Sequence, residues 1–117
     1  MIYLSGGLHS NWQDKFQGLP VVDPRNHKLT DPVLIQDWIV ANISTCDKVV
    51  AYLEKDNPGG YNMAFEIGVA TTLDIPVFIV DEKQDRYFQI VKADANEFEN
   101  IDELLDYVQS LLHNQEG

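Results

Sequence analysis

The sequence predicts a single α/β domain built on a parallel sheet, and three observations carry that prediction. Short apolar runs alternate with stretches of helical periodicity along the chain, the pattern of repeated βαβ units. Turn-forming residues cluster where the apolar runs end, at Ser5-Gly6-Gly7, Asp23-Pro24-Arg25 and Asn57-Pro58-Gly59-Gly60. The chain has 117 residues, 44% of them hydrophobic, which is the size and composition of one globular domain, residues 1–117.

Each element follows in order. The first strand covers Ile2–Leu4, and a short helix covers Ser10–Gln17. The second strand is Pro20–Val22, closed by Asp23-Pro24-Arg25, and Asn26–Asp31 form a polar loop. Asp31-Pro32 reads as an N-cap followed by proline at the first helical position. The helix it opens places Ile35, Trp38, Ile39 and Ile43 on one face. The third strand is Lys48–Tyr52. A Pro-Gly-Gly loop then leads into an apolar helix capped by Asn62. That helix is apolar nearly all round, which predicts burial on more than one side. The fourth strand is Pro76–Val80, and an edge or hairpin segment is expected over Tyr87–Val91. The last helix, Ile101–Leu112, carries Ile101, Leu104, Leu105, Val108, Leu111 and Leu112 on its apolar face.

Composition narrows the function. The formal net charge is −11, with eight Lys and Arg in the chain, so a DNA or RNA polymer is not an expected partner. The scarcity of cations leans toward a neutral small ligand, with Arg25 the best-placed cation if the ligand is phosphorylated. No apolar run reaches the roughly 20 residues of a membrane helix. The first residues lack a basic region and a cleavage site, so they read as the first strand of a cytoplasmic protein. A lone cysteine, Cys46, gives neither a disulfide framework nor zinc spacing, and His9, His27 and His113 show no metal spacing. Neither a metal nor a cofactor is expected.

Glu66 stands out chemically. Between Asp56 and Asp74 it is the one ionisable carboxylate, with no cation beside it. Two readings of it are open. In one, the first turn of the helix holds it dry and ionised, a suitable state for a nucleophile, with its pKa pushed down. In the other it is an ordinary first-turn glutamate facing water. Right-handed crossovers place every strand's C-terminal end on one edge, where open α/β sheets bind ligands. That edge collects Ser5, Gly6, Gly7, Asp23, Arg25, the loop Asn57, Pro58, Gly59 and Gly60, and Asp81. Of these, Gly6, Gly7, Asp23, Arg25, Asn57, Gly59 and Gly60 are the expected substrate contacts, together with Asn62.

The ordered series Ile2-Tyr3-Leu4-Ser5-Gly6-Gly7, Asp37-Trp38 to Asp47-Lys48-Val49-Val50-Ala51, Pro58-Gly59-Gly60, Phe65-Glu66-Ile67-Gly68-Val69-Ala70 and Ile75-Pro76-Val77 resembles the nucleoside 2-deoxyribosyltransferase family from residue 2 to about residue 82. Trp12-Gln13-Asp14-Lys15 and Asp23-Pro24-Arg25 fit its shorter, divergent branch. The resemblance implies a flavodoxin-like three-layer fold with about five strands. It also implies cleavage of an N-glycosidic bond and transfer of 2-deoxyribose between bases. Glu66 would be the nucleophile, Asp47 the acid that helps protonate the departing base, and Tyr3 the residue that orients the nucleophile. Asp37 matches a polar position beside the base site. The implied partners are a nucleoside or nucleotide, a free base and further copies of the chain.

The residue types suit that chemistry. One ionised carboxylate can trap the sugar while a protonated group neutralises the base, and in retaining glycosidases the two carboxyl groups lie about 5–5.5 Å apart. The expectation is therefore a low Glu66 pKa and an Asp47 pKa raised by desolvation at an apolar strand. Two rival classes stay open: an N-glycohydrolase, in which water takes the sugar, and a catalytically silent nucleotide-binding module. Gly60 and Asn62, which depart from the family's usual acid and glycine at those positions, favour the silent module. A flavin-binding flavodoxin fits less well, because nothing resembles a phosphate loop rich in Ser and Thr.

Overall fold

The computed structural model describes residues 1–8, 10–58 and 60–116. Five strands form one all-parallel sheet: β1 (Ile2–Gly6), β2 (Val21–Val22), β3 (Lys48–Leu53), β4 (Val77–Asp81) and β5 (Asn96–Phe98). The helices are α1 (Pro32–Ser44), α2 (Tyr61–Thr72) and α3 (Ile101–Glu116), with 3-10 turns at Trp12–Phe16, Pro24–Asn26 and Arg86–Phe88. The strand order is β2-β1-β3-β4-β5, the flavodoxin-like order, with its switch point between β1 and β3.

Strand alternation divides the core into two layers. On one face Tyr3, Val49, Ala51 and Ile79 pack with Ile39 and Ile43 of α1 and Met63, Ile67 and Ala70 of α2. On the other, Ile2, Leu4, Val50, Phe78 and Val80 pack with Trp12, Phe16 and the Ile101, Leu104 and Val108 stripe of α3. Asp31 accepts a hydrogen bond from Val33 N at 2.8 Å with Pro32 at the first helical position, so the cap of α1 forms as its sequence dictates.

Two expectations change. Tyr87–Val91 forms no strand; the edge strand is β5, where Asn96 and Glu97 are exposed and the pattern is polar. A buried ion pair fixes that edge: Lys92 Nζ lies 2.9 Å from Asp81 Oδ2 and 3.0 Å from Glu97 Oε2. Asp81 is thus an anchor for the segment between β4 and β5 rather than a ligand contact. The second change is at α2. Asn62 is not its cap: Gly60 occupies that position at φ 77°, without a side-chain cap, and the helix starts at Tyr61. A left-handed φ is cheap for glycine and costly for other residues, which fixes the boundary at Gly60. Within the single chain α2 buries the stripe Met63, Glu66, Ile67 and Ala70 and leaves Tyr61 and Phe65 exposed.

Candidate active site

A cleft of about 370 Å³ opens at the switch point of the sheet, lined by Gly6, Gly7 and Leu8 after β1 and by Asn57, Pro58, Gly60, Tyr61, Asn62 and Met63 after β3. Gly6 is needed there for space rather than for backbone freedom. A Cβ at Gly6 would sit 2.7 Å from the Trp12 ring and 2.8 Å from the Tyr52 carbonyl oxygen. Trp12 Nε1 and Gln13 Nε2 both donate to the Gly7 carbonyl, at 3.1 and 3.0 Å, which fixes one wall. Lys83 Nζ donates to the Asn57 carbonyl at 2.6 Å, which ties the opposite wall to the loop after β4.

Glu66 is not among the residues that line this cleft; it adjoins the wall through Ser5, which precedes Gly6, and through Met63, one turn earlier on α2. It is the sixth residue of α2 and 4% exposed, on the helix stripe that faces the sheet. Side chains of an α-helix tilt toward its N-terminus, so the carboxylate reaches back toward the cleft end, where Met63 is one turn earlier. Tyr3 and Ser5 stand two apart on β1 and share the face toward α2. The Tyr3 hydroxyl donates to Glu66 Oε2, and Ser5 Oγ donates to Oε1 at 2.8 Å. Both donors are fully buried. No cation is among the groups that shift Glu66. Burial pushes its pKa up to about 7, and the Tyr3 and Ser5 hydrogen bonds hold it below what burial alone would give. The expected low pKa is therefore reversed: the sixth position lies past the free N–H groups of the first turn, and desolvation dominates. Burial, then the Glu66 charge, drive the Tyr3 hydroxyl pKa far up, so Tyr3 stays a donor.

Asp47 does not join this site. Its backbone N–H donates to the Met1 carbonyl at the N-terminal edge of the sheet, and its carboxylate is 3.0 Å from the Met1 amino group and 74% exposed. Ser5 pairs with Ala51, four residues from Asp47, roughly 13 Å of extended chain. The Met1 hydrogen bond pulls the Asp47 pKa down instead of up. The cause is placement: Asp47 enters β3, whereas the ligand edge lies where β3 ends.

The other candidates separate into groups. Gly6, Gly7, Asn57, Gly60 and Asn62 come together in the cleft wall. Gly59 lies outside the described residues. Asp37 is exposed on α1 and does not line the cleft. Asp23 and Arg25 sit at the ligand edge beyond β2 but engage each other: Arg25 Nη2 is 2.6 Å from Asp23 Oδ2 and 2.8 Å from Asp14 Oδ1, and Nη1 donates to Asn11 Oδ1 at 3.2 Å. The Asp23 and Asp14 hydrogen bonds raise the Arg25 pKa, so its charge is spent joining β2 to the 3-10 turn at Trp12–Phe16. Sequence reasoning placed Ser5 at the edge but not against Glu66. The period-2 relation to Tyr3 is the signal that carries that contact.

Among the described residues no group of His, Cys, Asp and Glu could hold a metal ion, and no helix is long and apolar enough to cross a membrane. No protein-family model matches the chain, and no curated protein matches it.

Proposed function

We propose that the chain cleaves the N-glycosidic bond of a nucleoside through a covalent Glu66 intermediate and passes the sugar to another base. The observation that carries this reading is a buried carboxylate, hydrogen-bonded by Tyr3 and Ser5, with Ser5 next in the chain to Gly6 in the wall of a glycine-lined cleft at the switch point of the sheet. Such a carboxylate has the apolar shielding and fixed orientation that nucleophilic attack on an anomeric carbon needs. The resemblance in the ordered Tyr3 and Glu66 segments supports the same assignment. Asp47 has no part in it; the departing base takes its proton from water in the cleft.

Whether a base or water receives the sugar depends on who covers the rim. Tyr61 at the rim is 86% exposed, so water reaches the cleft of a single chain, and hydrolysis is the second reading. A second copy would favour transfer. Val33, Leu34, Val40, Phe65 and Leu73 are exposed apolar residues on α1, α2 and the residue that follows α2, and they offer the surface such a copy would use.

The test is incubation with deoxynucleosides, ribonucleosides and their monophosphates, with and without free adenine, followed by chromatography. Base exchange supports transfer, and free sugar without acceptor supports hydrolysis. Glu66→Ala should lose at least 10³-fold in turnover, on the order expected for a nucleophile, while Asp47→Asn stays within about twofold of wild type. Ligand binding with no turnover would leave the silent module as the correct class.

A further inference from the structure

We propose that Ser5 is a positioning residue that sets Glu66 Oε1 as the attacking oxygen. The inference rests on the N-glycosidic reading above and extends it to a residue that reading does not need. The two carboxylate oxygens have different surroundings. Oε2 accepts from Tyr3, whose ring lies in the apolar core beside Trp38, with ring centroids 6.1 Å apart. Oε1 accepts from Ser5, whose next residue, Gly6, forms the cleft wall. Ser5 stands two residues, roughly 7 Å, further along β1 toward the ligand edge than Tyr3. The oxygen nearer the incoming sugar is therefore Oε1.

Ser5 has one O–H, and it is committed to Oε1 at 2.8 Å in a fully buried position. A carboxylate oxygen is a strong acceptor and an ester oxygen a weak one. In the first step an Oε1 lone pair forms the bond to C1′. The C1′–N bond breaks, its pair stays on the base nitrogen, and that nitrogen takes a proton from water. Oε1 then accepts poorly and the Ser5 bond weakens. In the second step the acceptor base nitrogen, or a water oxygen, bonds to C1′ and gives its proton to solvent. The C1′–Oε1 pair returns to Oε1, and the Ser5 O–H stabilises the charge that develops there. Ser5 thus assists release from Glu66 more than attack by it, and its loss should make the glycosyl-enzyme accumulate.

The groups around Glu66 leave its titration readable. Tyr3 on β1 and Cys46 before β3 both titrate above their usual values, because burial disfavours their charged forms. Asp81 on β4 is paired with Lys92, and Asp37 on α1 is exposed.

The experiment compares wild type with Ser5→Ala and Ser5→Thr in three readouts: the pH profile of kcat/KM, intact mass after rapid quench with a deoxynucleoside, and carbon-13 NMR titration of the resting protein with Glu66→Gln for assignment. In Ser5→Ala the acidic limb and the Glu66 titration should both move up by about one pH unit, the size expected for losing a hydrogen bond to a charged group. The glycosyl-enzyme should be a larger fraction of the quenched protein. Ser5→Thr keeps a hydroxyl and should restore both. If Ser5→Ala keeps the wild-type limb, titration and intermediate level, Ser5 is packing alone and the proposal is overturned. If wild type itself turns over no nucleoside, the N-glycosidic reading fails and takes the attacking-oxygen assignment with it. The resting titration then reports separately whether Ser5 sets the charge of Glu66.

Discussion

Replacing Glu66 by glutamine should make the protein more stable relative to wild type as pH rises. In the folded chain the Glu66 pKa stands at about 7 rather than its ordinary 4.5, because burial disfavours the carboxylate. A group whose folded pKa is raised binds its proton more tightly in the native state. Between pH 4.5 and about 7 the native state then holds more protons than the unfolded chain, and stability falls as pH rises through that window. The gap between 4.5 and about 7 corresponds to about 3 kcal/mol. Roughly 2 kcal/mol of this falls between about pH 5.5 and about pH 8.5, the range that keeps clear of the acidic isoelectric point. Glutamine fills the same space without a charge. Its amide contacts with Tyr3 and Ser5 add an offset that does not depend on pH. The assay is urea unfolding of both proteins across that range, followed through Trp12, buried in the core, and Trp38, half-buried beside Tyr3. For a slope of about 2 kcal/mol per molar, the difference in midpoint should widen by about 1 M in favour of Glu66→Gln. A constant difference would show that burial leaves this carboxylate unperturbed. A difference that shrinks as pH rises would restore the ionised, low-pKa glutamate expected from the sequence.

Two further substitutions test what positions the site. Lys92→Met should destabilise by about 3–5 kcal/mol in urea unfolding, because it leaves Asp81 buried without its ion-pair partner at the end of β4; removing both charges with Asp81→Leu and Lys92→Met should recover most of the loss. Gly6→Ala should cost about 1–3 kcal/mol, since the added methyl meets the Trp12 ring at 2.7 Å, and near-ultraviolet circular dichroism should register the displaced indole.

The sequence by itself determined the α/β class and the parallel order, because apolar runs and helical periodicity come from side-chain hydrophobicity, which every folded arrangement must bury. It determined the start of α1, because Asp31 and Pro32 act within one turn of the backbone. It also singled out Glu66 and Tyr3, whose direct contact across 63 positions the fold then formed. Tertiary structure decided what local pattern does not encode. Gly60, not Asn62, starts α2, and that shift moves Glu66 out of the first turn and into the core, where desolvation governs its proton. Asp47 and Glu66 are both acids beside apolar segments, but one lies where a strand begins and the other beneath the edge where strands end. Only the direction of β3 in the sheet separates them. β5 was illegible because its stability comes from pairing with β4 and from the Lys92 ion pairs, neither of which leaves a periodic mark in the chain.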